Sequence, residues 1–225
     1  MGAAYSWLAY VSFEPYFRRW WPHTLISWTR LLAGHARDPL VGRDVLVGLL
    51  AGVLAVGSLV IQFGVVDITA PGMFRQPVLD ALQSPALFSS VTVLTLLNGL
   101  QFALGGIAGL VLLRLVVRRT PVAVAMLVAL TIPLAAGSGS ASDVLFAAAR
   151  GLFGLAVLLR AGVLANVVML IAVQLLTSLP LTLDADAWYF GRSLIVLSMI
   201  GALATYGFIV ALAGRPAFGV LARES

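Results

Sequence analysis

The chain has no cysteine and no lysine. The first absence excludes disulfides, thiolate metal centres and cysteine nucleophiles. The second leaves all 14 basic charges to arginine. Charge of either sign is scarce: 10% of 225 residues, against about 25% in an average soluble domain. What takes its place is apolar, 61% of the chain, with a mean hydropathy of +1.04. One soluble core of this length could not hide so much apolar surface, so lipid must be part of the solvent. Several runs reach the roughly 20 apolar residues that a hydrocarbon layer about 30 Å thick demands.

Catalytic motifs are also missing. Gly137-Ser138-Gly139 lacks the remaining frame, the lysine and the preceding strand of a phosphate-binding loop. There is no G-x-S-x-G. His23 and His35 stand too far apart, and with too few companions, for a metal site. Asp184 and Asp186 form a carboxylate pair, but Trp188 and Tyr189 beside them fit an outer-surface loop with an aromatic belt. No enzyme activity, cofactor or metal is implied.

The net charge of +5 does not point to nucleic acid. The arginines sit at the ends of apolar runs, where topology places them. Ala3–Phe13 is apolar but short, with no basic residue before it and Glu14-Pro15 after it. It reads as an interfacial segment or the tail of a span, not as a signal peptide.

Two regions are expected. Residues 1–44 hold the apolar stub and an Arg/Trp-rich interfacial segment, in which 24–33 predicts a short helix lying flat, ended by Gly34. Residues 45–225 predict an all-α polytopic membrane domain. Its spans fall at 45–66, 87–113, 121–136 (kinked by Pro133), 144–159, 161–179 and 193–213. With residues 14–44 and the C-terminus in the cytoplasm, nearly all Arg-rich ends fall on one side of a six-span arrangement. The weak link is Arg150, near the middle of 144–159. An arginine at that depth is costly unless paired or wet, so this segment reads alternatively as re-entrant, which would invert the two spans after it.

Polar groups inside spans are the candidate site. Gln62, Asn98, Gln101, Arg150, Asn166 and Gln174 fall there. Asn98 and Gln101 share a helix face, and Asp143, seven residues before Arg150, is its nearest candidate partner. The set Asn98, Gln101, Arg150 and Asn166 suits either a polar pathway or hydrogen bonding between helices. Gly48/Gly52 and Gly105/Gly109 are G-x-x-x-G pairs that let helices approach closely, within one chain or across a dimer. In the opening segment Glu14, Arg18, Arg19, Arg30, Asp38, Arg43 and Asp44 suit two roles. They anchor the chain to anionic lipid, or they form a docking surface for a cytoplasmic protein.

The runs Glu14-Pro15-Tyr16, Arg18-Arg19-Trp20-Trp21-Pro22, Leu25-Ile26-Ser27-Trp28 and 37–44 (RDPLVGRD), with Pro180-Leu181-Thr182, Ala187-Trp188-Tyr189 and Tyr206-Gly207-Phe208, resemble a bacterial family. They look like the C-terminal multi-span membrane region of bacterial serine/threonine protein kinases, over residues 4 to 216. The kinase domain of those proteins lies upstream and is absent here: there is no Gly-rich ATP loop, H-R-D or D-F-G. The resemblance implies anchoring or signal input at a bacterial inner membrane, with the lipid bilayer and a cytoplasmic kinase as partners. Transport of a small molecule is the competing expectation.

Overall fold

In the computed structural model, residues 20, 22–62, 64, 78–135 and 140–212 are described, and all regular structure among them is helical. A 3₁₀ turn at Pro22–Leu25 leads into α1 (Ile26–Leu32). The chain leaves this short pair through Gly34, whose φ of +84° needs a residue without a side chain. Six apolar helices follow: α2 (Pro39–Ile61), α3 (Pro85–Val117), α4 (Thr120–Ala135), α5 (Ala141–Ala161), α6 (Val163–Ser178) and α7 (Phe190–Leu212).

Local chemistry fixes the boundaries. Asp38 caps α2 by accepting from the Leu40 N–H at 2.9 Å, and Pro39 supplies the preset first φ. The helix therefore starts six residues before the expected position 45. Ser84 and Pro85 repeat the device on α3. That helix runs on through Arg114 and stops where Arg118 takes a left-handed φ of 60°. Ser140 caps α5, which places Asp143 in its first turn rather than in a loop. Gly162, at φ +99°, ends α5 and starts α6, so one residue reverses the chain between two antiparallel helices. Pro133 lies near the end of α4 as described, two residues before Ala135.

Four helices, α2, α3, α5 and α7, are long and apolar enough to cross a membrane, with α4 and α6 as shorter apolar helices. Thus 141–161, the segment whose span was doubtful on account of Arg150, is among the long ones. Residues 67–77, 136–139 and 213–225, which carry parts of the expected loops and tail, lie outside the described residues, as do Ala3–Phe13.

The six helices run alternately between two ends of one bundle. The end holding the starts of α2, α4 and α6 and the finishes of α3, α5 and α7 also holds Arg37, Arg43, Arg114, Arg118, Arg119 and Arg160; it is called the basic end. The hub is α6, buried along most of its length and packed by α2, α3 and α5. Small residues permit this. A side chain on Gly48 would meet the Ala165 carbonyl at 2.5 Å, and one on Gly52 would meet the Ala172 methyl at 2.7 Å. Gly42 and Gly207 bring α2 and α7 together in the same way. Lipid tails are as apolar as leucine, so close packing of this sort, more than hydrophobic burial, is what holds such helices together. The Gly48/Gly52 pair is therefore an internal packing device, whereas Gly105 faces open space and Gly109 meets Leu127 of α4. Outward, the long helices present bare apolar side chains: Leu50, Val116, Leu145 and Ile209 are each more than 60% exposed. In water that surface would aggregate; in a bilayer it is solvated.

Candidate functional site

Two polar assemblies stand out, one at each end of the bundle. The first is intramembrane. Gln62 follows the last turn of α2 and is fully buried. Ser140 accepts from the Asp143 N–H at 3.1 Å, holding Asp143 in the first turn of α5, where the helix dipole favours a carboxylate. Arg150 lies two turns further along the same face, about 14 Å from the start of α5 at 1.5 Å per residue. The Gln62 side chain joins them: its Nε2 donates to Asp143 Oδ1 at 2.7 Å, and its Oε1 accepts from Arg150 Nη1 at 2.6 Å. Both halves of one amide are thus used, and each charged group is satisfied through it. Asp143 is buried and Arg150 half-buried. The carboxylate and guanidinium neutralise one another across the bridge, which is how an arginine can be held at membrane depth.

The expected Asp143 partner for Arg150 is therefore present, but reached through Gln62. The rest of the expected intramembrane set does not converge. Asn98 and Gln101 share one face of α3, as their spacing requires, and that face is exposed. Asn166 is buried on α6. Gln62 was the residue whose importance sequence reasoning missed. Depth could have found it, since Gln62 closes α2 at the same end of the bundle at which Asp143 opens α5.

The second assembly is the seat of the interfacial segment. His23 Nε2 faces the Leu159 carbonyl of α5 at 3.2 Å. The Thr24 carbonyl lies so near Gly162 that a Cβ there would approach it to 2.7 Å. The Arg114 guanidinium of α3 stacks over Trp20 at 4.8 Å. The Tyr206 hydroxyl of α7 donates to the Ala36 carbonyl. The segment is thus gripped by α3, α5, α7 and the α5–α6 joint. No family model, curated protein or solved structure matches this chain.

The expected docking charges are largely occupied with local work. Arg30 pairs with Asp38, and Arg43 donates twice to Asp44 Oδ1, at 2.9 and 3.0 Å. Asp44 is buried and Arg43 mostly exposed. The Leu40 N–H, and beyond it the Arg30 guanidinium, hold the Asp38 carboxyl below its ordinary value, against a smaller opposing effect of burial. Glu14, Arg18 and Arg19 lie outside the described residues. At the other end of the bundle, Arg192 reaches the Leu82 carbonyl and stacks over Trp188, which stands edge-on to Tyr189.

A groove of about 430 Å³ lies among α2, α3, α6 and α7, lined by residues such as Leu96, Leu175, Met199 and Leu203. Its wall is apolar, so it offers no acid, base or nucleophile. Among the described residues, no group of three or more His, Asp and Glu side chains is placed to hold a metal.

Proposed function

We propose that this chain is a membrane-embedded anchor or sensor module of a bacterial signalling system, without catalysis of its own, acting through a cytoplasmic partner such as a protein kinase. It crosses the inner membrane six times, with the basic end in the cytoplasm. One observation carries the reading: α5 bears Asp143 in its first turn and Arg150 at its middle, both tied to Gln62, and at its far end the Leu159 carbonyl and Gly162 joint against which His23 and Thr24 rest. A stimulus that breaks the Gln62 bridge frees α5 from α2. The shift then reaches the Arg/Trp-rich segment through one rigid helix, the kind of two-state element that coupling between sites requires.

The six-span count rests on the alternation of the helices. At 1.5 Å per residue, α4 and α6 measure about 24 Å, slightly less than a hydrocarbon layer. Among the described residues the six arginines of the basic end stand against Arg192 at the opposite end, which also holds Asp80, Asp184 and Asp186; Arg75 lies between α2 and α3, outside the described residues. That imbalance favours the basic end inside. The absence of native cysteine makes the orientation easy to read. In intact cells, a membrane-impermeant maleimide should label Leu183→Cys and spare Arg37→Cys; the reverse pattern would invert the assignment.

The function itself is tested by purifying the tagged chain from its native host in mild detergent and identifying what accompanies it. A stoichiometric kinase or other soluble regulator, weakened when Arg18 and Arg19 are changed to alanine, supports the module. Recovery of the chain alone counts against it. Transport of a small molecule is the second reading, favoured by the intramembrane Arg150. It requires that Arg150→Ala abolish uptake of some solute into reconstituted vesicles at unchanged protein content.

A further inference from the structure

We infer that α3 is a self-association surface: two copies of this chain pair in the membrane through Asn98 and Gln101. Gln101 is the middle residue of the 33-residue α3, and Asn98 lies one turn before it. Both are exposed, and neither has a hydrogen-bond partner among the described residues. Gly99, Ala103, Ile107 and Leu110 turn the opposite face of α3 into the bundle. Two carboxamides are therefore presented to hydrocarbon at the depth where water is least available to satisfy them. Each carries two donors and an acceptor. The Leu94, Asn98, Gln101, Gly105 spacing forms one stripe at helical period, and around Gly105 there is open space for a second backbone.

The occupant that fits is another copy. Copies inserted with one topology pair about an axis normal to the bilayer, which sets each residue of α3 opposite its own equivalent. A carboxamide is complementary to itself, donating and accepting at once, whereas an exposed charge would repel its own copy. This inference rests on the exposed face of α3 and does not depend on the signalling reading.

The chain is co-expressed with two different tags and carries Leu94→Cys as its single cysteine, which leaves both amides in place. Oxidation in native membranes should give a crosslinked dimer bearing both tags. Leu145→Cys, exposed on α5, should stay monomeric. Adding Asn98→Leu with Gln101→Leu should lower the crosslinked fraction about threefold to tenfold, the scale of one or two interhelical amide bonds, while Asn98→Gln should keep it. Three results overturn the inference: a Leu94→Cys dimer no more abundant than that of Leu145→Cys, a dimer indifferent to the double leucine variant, or a crosslink to a different protein only. Elution of the double variant as a monodisperse species confirms that a lost dimer is not a lost fold.

Discussion

Gln62 and Arg150, 88 residues apart in the chain, are joined at 2.6 Å by a hydrogen bond from the guanidinium to the amide oxygen. The same amide donates to Asp143. Gln62 is thus the neutral member that makes a buried carboxylate and a half-buried guanidinium tolerable to each other and to their surroundings. Its removal should cost more than its own hydrogen bonds, because Arg150 would lose its amide acceptor and Asp143 an amide donor where lipid supplies no replacement. Gln62→Leu is expected to destabilise the protein by about 2 to 4 kcal/mol. Combining it with Asp143→Ala and Arg150→Leu should recover most of that loss, since an apolar replacement of a whole buried polar set is often neutral. The fraction of monodisperse protein surviving a temperature series in detergent measures both. A triple variant weaker than the single one would show that the bridge is not the source of the loss.

The approach of α2 to α6 gives a sharper contrast, because two glycines of one helix should respond oppositely. A Cβ on Gly48 meets the Ala165 carbonyl at 2.5 Å, and backbone cannot swing aside as a side chain does. Gly48→Ala should force α2 from α6 and cost about 1 to 3 kcal/mol, the range for overpacking. Gly57, about two and a half turns on, has nothing within 4 Å. Gly57→Ala should be neutral or stabilising by up to about 1 kcal/mol, from helix propensity alone. The same thermal assay compares the two, and equal effects would mean that helix packing at Gly48 is looser than its geometry.

These contrasts also mark what the sequence disclosed. The membrane class, the helices and the interfacial opening were legible because each is a local property: runs of apolar residues, an opening rich in Arg and Trp, a break at Gly34. Helix starts before Val45 and Leu87 were misplaced only where a cap and a proline outweighed hydropathy. The partner of Arg150 was half legible. Asp143 sits on the same face of the same helix, and spacing reveals it; Gln62 arrives from another helix, and spacing along the chain carries no such information. Asn98 and Gln101 were legible as a shared face, but nothing local to α3 tells whether that face turns inward or outward. The pairing of Arg30 with Asp38 was not legible for the same reason, since it depends on the turn at Gly34.

Asp38 should make the start of α2 sensitive to acid. Its carboxyl is held below the ordinary value of 3.8, first by the Leu40 N–H. A depressed carboxyl contributes stability that is complete above the unfolded-state value and is lost as pH falls through the lower, folded-state value. The cap should therefore hold at pH 5 and above, and open only below about pH 4, the ordinary range of an aspartate. Amide exchange at Leu40 and Val41, corrected for the intrinsic pH dependence, should show protection falling in that window. Asp38→Asn retains a cap acceptor and should flatten the response; Asp38→Ala should lose protection at every pH.

The seat of the interfacial segment can be disturbed at a single backbone position. Gly162 has a φ of +99°, which L side chains rarely adopt, and its missing Cβ would sit 2.7 Å from the Thr24 carbonyl. Gly162→Ala therefore imposes strain on the α5–α6 joint and pushes against the 3₁₀ turn at once. The bundle has α6 packed by three other helices and should persist, whereas the segment 22–34 is short and lies at the edge of that packing. Its release should expose the chain at Arg30 and Arg37 to trypsin, with cleavage there about tenfold faster or more, the factor for roughly 1.4 kcal/mol of lost seating when opening is rapid. Gly191→Ala, which meets nothing within 4 Å, is the matched control. Faster cleavage in Gly162→Ala at unchanged thermal stability of the bundle would establish that the segment can leave its seat while the helices stay assembled. Equal cleavage rates in the two variants would mean that the segment is held by His23, Trp20 and Tyr206 strongly enough to absorb the clash at Thr24.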